Sequence, residues 1–437
     1  MSKKKTLLKN GRLVLPDRVF SGDLSIEDGV ISHIRSDIPE AGYEMVHNLN
    51  GKYILPGFID IHNHGSAGFD FSFGLYDVKA DSFSLDKAAY LDGLEQALRF
   101  YAGHGITRVL LTSMAAPLDK LEYSFSTLRE YISQRMPFHQ LVEGINLEGT
   151  FLKDPHYAGA QNPKFFYDAE WNIIEQLQEA SGNLLRIVNI PPEHGKHGLE
   201  LIARLRENNI VVAGGHTAAY GDEFQAAVDA GLSLAVHFFN GPSRNSTKGF
   251  RQGGAEQIVL KSDFVSAEII CDGYHVAPAH VRDTIARKDA ERVIMITDSM
   301  FANGLNDVTS FSLFGLKGAV STNREYLQML GVQDTLFGSV LTSDRGFSNV
   351  LKWLTTAMTG VWYRHHPALP FDTALPVAAS MFSTNPARLL GVDQTETDRP
   401  GTGSLEIDKW ADLIVADIEG SGEIRVEKTF VKGEEMV

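Results

Sequence analysis

Eight apolar strand-like runs, separated by helix-periodic segments and flanked by β-rich ends, predict an α/β chain. The expected architecture is a (β/α)8 barrel of the TIM type, with a small β-sandwich domain assembled from both termini. Three observations carry this. The middle of the chain carries eight strand-like runs, most of them separated by helix-periodic segments. Both ends carry short alternating strands with turn signals between them. No G-x-G-x-x-G follows a strand, so a doubly wound dinucleotide fold lacks its fingerprint. The expected division is residues 1–55 and 395–437 for the small domain and 56–394 for the barrel.

Residues 6–15, 23–26 and 30–34 cluster β-formers and are broken by Asn10-Gly11 and Asp28-Gly29, both turn pairs. Barrel strands are expected at 58–61, 107–111, 141–147, 184–190, 210–213, 232–236, 264–270 and 292–296. Apolar residues at helical spacing predict helices over 85–101, 120–134, 168–179, 198–207, 222–230 and 277–286. After the eighth strand, 308–336 reads as an irregular insertion, followed by helices near 345–356 and 373–382. Strands at 403–407, 412–415 and 425–431 then return the chain to the small domain.

Composition narrows the function. Of 437 residues, 43% are hydrophobic and 22% charged, which suits a globular protein with a large core. The formal net charge of −15 argues against a nucleic-acid surface, which needs clustered Lys and Arg. Cys271 is the single cysteine, so no intrachain disulfide can form. The basic start, Met1 to Lys5, leads into a mixed strand rather than a signal-peptide core, and no run is long enough to span a membrane. A cytoplasmic chain without a membrane partner is expected.

Chemistry concentrates in the stretch 56–65, which holds Asp60, His62 and His64 two residues apart. Alternation along a strand turns all three to one side, with imidazoles about 6–7 Å apart at Cα, close enough for one metal ion. Other expected strand ends, which form the catalytic rim of such barrels, carry Glu148, His216, His237 and Asp298. Singly, Glu148 reads as a loop cap, His216 as a core histidine and Asp298 as an N-cap. Together on one rim they form a ligand set. Two imidazoles and a carboxylate suit a catalytic divalent ion, and a neighbouring carboxylate suits proton transfer.

The chain resembles the amidohydrolase superfamily and, within it, the N-acetylglucosamine-6-phosphate deacetylases. The motifs are PGFIDIHNHG at 56–65, NLEG at 146–149, GGHT at 214–217, HFFNGP at 237–242, DGYH at 272–275, TDS at 297–299, FGS at 337–339 and NPARLLG at 385–391. The resemblance implies a principal metal, zinc or iron, on Glu148, His216 and His237. It implies a second position at His62 and His64, hence one or two ions per subunit. It makes Asp298 the general base and then acid, and gives sugar contacts to His275, Asn240 and Gly241. It further implies an amino-sugar phosphate substrate and a homodimer whose neighbour donates an arginine to the phosphate.

Several positions depart from the family pattern. Thr150 stands where the family has Pro, and Gln161 stands where a histidine would touch the substrate carbonyl. Gln can donate a hydrogen bond there but carries no charge. The loop after Asn240 is longer, and Arg244, Lys248 and Arg251 are its candidate anion contacts. An amidohydrolase of another N-acyl sugar or amide is the competing expectation. A catalytically dead scaffold would have lost ligand positions; here all five stand with Asp298.

Overall fold

The computed structural model describes residues 5–241, 244–397 and 399–437. The basic start at 1–4 and Pro242 of the HFFNGP motif lie outside the described residues. The eight expected strands form one parallel sheet in chain order: β1 (Phe58–Asn63), β2 (Ile106–Ser113), β3 (Val142–Leu147), β4 (Leu185–Asn189), β5 (Val211–Gly214), β6 (Leu234–Ala235), β7 (Ser266–Ile270) and β8 (Val293–Ile296). Closure runs between β8 and β1. The Asp298 N–H donates to His62 O at 2.9 Å, and Thr297 Oγ1 donates to Asp60 Oδ2 at 2.6 Å.

The runs are strands because both faces are buried. Phe58, Val109, Ile145, Val188, Val212 and Ile269 belong to the large core cluster that also takes in the outer helices. Ile59, Ile61, Leu110, Ile187, Leu234, Ile270 and Ile294 form a second cluster among the strands, joined by Ala387 and Val392. The NPARLLG motif thus supplies the helix Asn385–Leu389 beside this cluster. Asn385 Nδ2 fastens that helix by donating to Ala290 O at 2.7 Å and Val293 O at 2.8 Å.

The two chain ends build one eight-stranded sheet. Strand Lys5–Val14 branches it, pairing first with Met45–Asn48 and then with Tyr53–Pro56, which continues into Leu413–Ile418 and Ile424–Val431. The expected sandwich is realised as the arms of this branched sheet around Leu8, Leu24, Ile54, Leu413 and Phe430. Two expectations need correction. Residues 403–407 form turns, because Ser404 Oγ bonds Glu406 Oε2 (2.5 Å) and Lys409 Nζ (2.7 Å) in place of a ladder. Residues 308–336 are not irregular. They contain a three-stranded antiparallel sheet, Ser310–Leu313, Leu316–Val320 and Leu327–Met329, held down by buried Phe311, Leu313 and Leu327.

Candidate active site

The barrel rim gathers Glu148 from the end of β3, His216 from beyond β5, His237 from beyond β6, Asp298 from beyond β8, His62 from β1 and His64 from just beyond it. All are buried. His216, His237 and Asp298 have positive φ, at 49°, 23° and 50°. A left-handed backbone at a non-glycine strand end is costly, and here it turns three side chains off the strand direction into one space. Gly241 packs against this turn: a Cβ there would approach the backbone nitrogen of His216 to 2.9 Å.

Two donor groups share Glu148: His62 and His64 on one side, His216 and His237 on the other. Glu148 Oε1 lies 3.1 Å from His216 Nε2 and 3.0 Å from His237 Nε2, and those nitrogens are 2.9 Å apart. Glu148 Oε2 lies 3.4 Å from His64 Nε2. Asp298 Oδ1 lies 3.3 Å from His64 Nε2 and 3.6 Å from His62 Nε2. Ligands of one ion with bonds of about 2.0–2.1 Å lie about 2.9–3.4 Å apart, so most of these spacings suit shared coordination.

Tautomers strengthen the fit. His62 Nδ1 meets Glu268 Oε2 at 3.0 Å, His64 Nδ1 meets Thr112 O at 3.1 Å, and His216 Nδ1 meets Tyr157 O at 3.0 Å. Each acceptor receives a hydrogen bond from Nδ1–H, which keeps the proton on Nδ1 and leaves the Nε2 lone pair aimed at carboxylate oxygens. Lone pairs facing carboxylates repel unless a cation lies between them. Without one, His62 draws a proton: burial opposes its charge, but Glu268, Glu148 and Asp298 lift its pKa to about 10. Burial works against the charge of Glu148 and Asp298 too, yet the histidines hold both below the usual carboxylate range. The donor set therefore fits a divalent ion.

These groups border a cavity of 910 Å³ with Tyr157, Gln161, Asn240, Tyr274, His275 and Asp334 among its walls. His275 Nδ1 is engaged by Asp272 Oδ2 at 2.6 Å, and Asn240 Nδ2 is a buried donor without a protein partner. Gln161 binds Glu148 through Nε2 at 2.5 Å. Arg244 and Arg251 are not brought into the cavity. Arg244 lies 3.7 Å from Asp154 and over Tyr220, and Arg251 stacks on the same ring and faces Asp222 at 3.4 Å. Among the described residues, no Lys or Arg lines the cavity. Asp60, expected on the histidines' side, bonds Thr297 and Asn63 and joins neither donor group.

Residues 53–436 match the Amidohydrolase family. The chain belongs to that family. Among relatives, it is 31% identical to the N-acetylgalactosamine-6-phosphate deacetylase of Escherichia coli O157:H7, over 94% of this chain and 93% of that one. It is 27% identical to the N-acetylglucosamine-6-phosphate deacetylase of Bacillus subtilis, over 94% and 92%. The N-acetyl-D-glucosamine-6-phosphate deacetylase of Mycobacterium smegmatis, solved in complex with N-acetyl-D-glucosamine-6-phosphate, superposes with a TM-score of 0.78 at 26% identity, covering 100% of both chains. No helix among the described residues is long and apolar enough to cross a membrane.

One residue of this amidohydrolase site escaped the sequence reading. Glu268, fully buried on β7, accepts both His62 Nδ1–H and the His237 backbone N–H, each at 3.0 Å. A signal was present: a carboxylate in the middle of the apolar run Phe264 to Cys271 is rare without a partner. The carbonyls of Thr112 and Tyr157 left no such signal.

Proposed function

We propose that this chain is a metal-dependent deacetylase of an N-acetylated amino-sugar phosphate, with N-acetylglucosamine 6-phosphate as substrate and glucosamine 6-phosphate and acetate as products. The single observation that supports it best is the convergence of Nε2 lone pairs on Glu148 beside Asp298, at the foot of a 910 Å³ cavity. The named relatives act on the gluco and galacto forms of one substrate class, which share the acetamide and the 6-phosphate.

Glu148, His216 and His237 would hold the principal ion, zinc or iron, with His62 and His64 available to a second. Such an ion supplies Lewis acidity to a water and to the acetamide carbonyl. Asp298 takes the proton of the attacking water and returns it to the departing amine nitrogen. Asn240 Nδ2 and the free ring nitrogen of His275 bind the sugar, and Gly241 lets the backbone come close. With no Lys or Arg among the described residues that line the cavity, an arginine from the loop after β6 of a second copy completes the phosphate site, so the assembly is a homodimer. Residues 56–394 are the catalytic unit, and 1–55 with 395–437 the small domain of this cytoplasmic enzyme.

The same lack of a cavity cation favours, as a second reading, another N-acyl sugar or amide without phosphate. A panel of N-acetyl sugars with and without a 6-phosphate separates the two by acetate release. Chelator-sensitive release from the 6-phosphates is expected. Release only from neutral sugars selects the second reading, and no release from any sugar ends the first and leaves only a non-sugar amide.

A further inference from the structure

Both polar ends of Gln161 are committed. Oε1 accepts the Ala115 backbone N–H at 2.7 Å, and Nε2 donates to Glu148 Oε2 at 2.5 Å. Only an oxygen can meet that backbone N–H, so the amide cannot be turned round. Gly149 leaves room for it: a Cβ there would come within 2.6 Å of Gln161 Oε1 and 2.2 Å of the Ala115 nitrogen. Gln161 is 4% exposed, so its bond to the carboxylate is shielded from water.

The consequence falls on Glu148. A carboxylate free to turn about its last bond can offer both oxygens to one ion. Here Oε1 faces His216 and His237, with His62 Nε2 farther off at 3.6 Å, while Oε2 faces Gln161 and His64. We propose that Gln161 is a positioning residue that holds Glu148 as a bridge, with Oε1 on His216 and His237 and Oε2 turned to His64, and thereby sets the affinity for a second divalent ion. The proposal rests on the metal-dependent reading above. It differs from the substrate contact expected at this position, because Gln161 acts through Glu148.

The test strips the purified chain with a chelator and titrates it with zinc, following heat and bound metal. Wild type is expected to take two ions. Gln161→Met is expected to bind the first with unchanged affinity and the second about tenfold or more weakly, the worth of a hydrogen bond to a charged group. Gln161→Leu serves as a second variant, and thermal melting verifies that each is folded. A second ion bound at wild-type affinity or tighter overturns the proposal. So does an equal weakening of both ions, which marks a general structural role, or a wild type that takes only one. A wild type that binds no ion removes instead the metal-dependent reading itself.

Discussion

Buried charge occurs at both ends of this barrel, and the two clusters are built on opposite rules. Near the strand starts, Arg108 on β2 donates to Asp412 Oδ2 from Nε (3.0 Å) and Nη2 (2.8 Å), and to Glu143 Oε2 from Nη1 (2.9 Å). Asp412 also accepts from Thr402 Oγ1 and the Lys432 backbone N–H, both at 2.7 Å. Donors meet acceptors, and the cluster ties the barrel to the small domain. At the rim, His62 Nε2, His237 Nδ1 and Glu268 Oε1 have no hydrogen-bond partner, and nitrogen faces nitrogen across 2.9 Å. A buried cluster that satisfies itself holds a fold together. One that does not is arranged around something that must still arrive.

The largest expected effect breaks the rim without breaking the fold. Asp298→Asn keeps shape and hydrogen bonding but cannot accept a proton, so kcat should fall by about 10²–10⁴ with metal content and melting temperature retained. If metal is lost in step with activity, Asp298 is a ligand and not a base.

At the other end, Arg108→Met leaves Asp412 buried without its partner, which costs about 3–5 kcal/mol of stability. Denaturant unfolding should report that loss, with the metal content of the folded fraction unchanged. The double variant Arg108→Met with Asp412→Leu should recover part of it, because it removes the unpaired charge but leaves Thr402 Oγ1 and the Lys432 N–H without their acceptor. No such exchange is expected to rescue the rim.

A smaller effect sharpens the contrast between ligands and their supports. Glu268→Gln keeps a hydrogen-bond acceptor for His62 but removes a charge beneath it. Metal affinity should weaken about 10–100-fold in chelator competition. Loss of melting temperature without loss of affinity would place Glu268 with the structural cluster.

The smallest effect is pH-dependent. In the metal-free protein burial opposes the charge of His62, but the surrounding carboxylates lift its pKa from the ordinary imidazole value of 6.5 to about 10. Its contribution to stability is therefore full below pH 6.5 and lost as pH rises through 10. An ion must displace that proton, so the melting-temperature gap between metal-loaded and metal-free protein should widen from pH 6.5 to 10. A constant gap in calorimetry would mean that no ion engages His62.

Much of this was open to the sequence alone. Alternating apolar runs and turn pairs located all eight strands, and strand-end residues named Glu148, His216, His237 and Asp298, because burial on both faces imposes a composition that can be read locally. Other features depended on distant partners. Glu268 gained its role only when β7 came to lie beneath His62. Arg251 was drawn to Tyr220 and Asp222, not to the cavity. Residues 403–407 had strand-like composition, yet local side-chain bonds won. The tertiary structure also set the positive φ of His216, His237 and Asp298. A left-handed turn at a non-glycine residue is unfavourable on its own and persists only where barrel closure over-determines the backbone. The identity of the clustered donors was therefore written in the chain, while their aim was decided by packing.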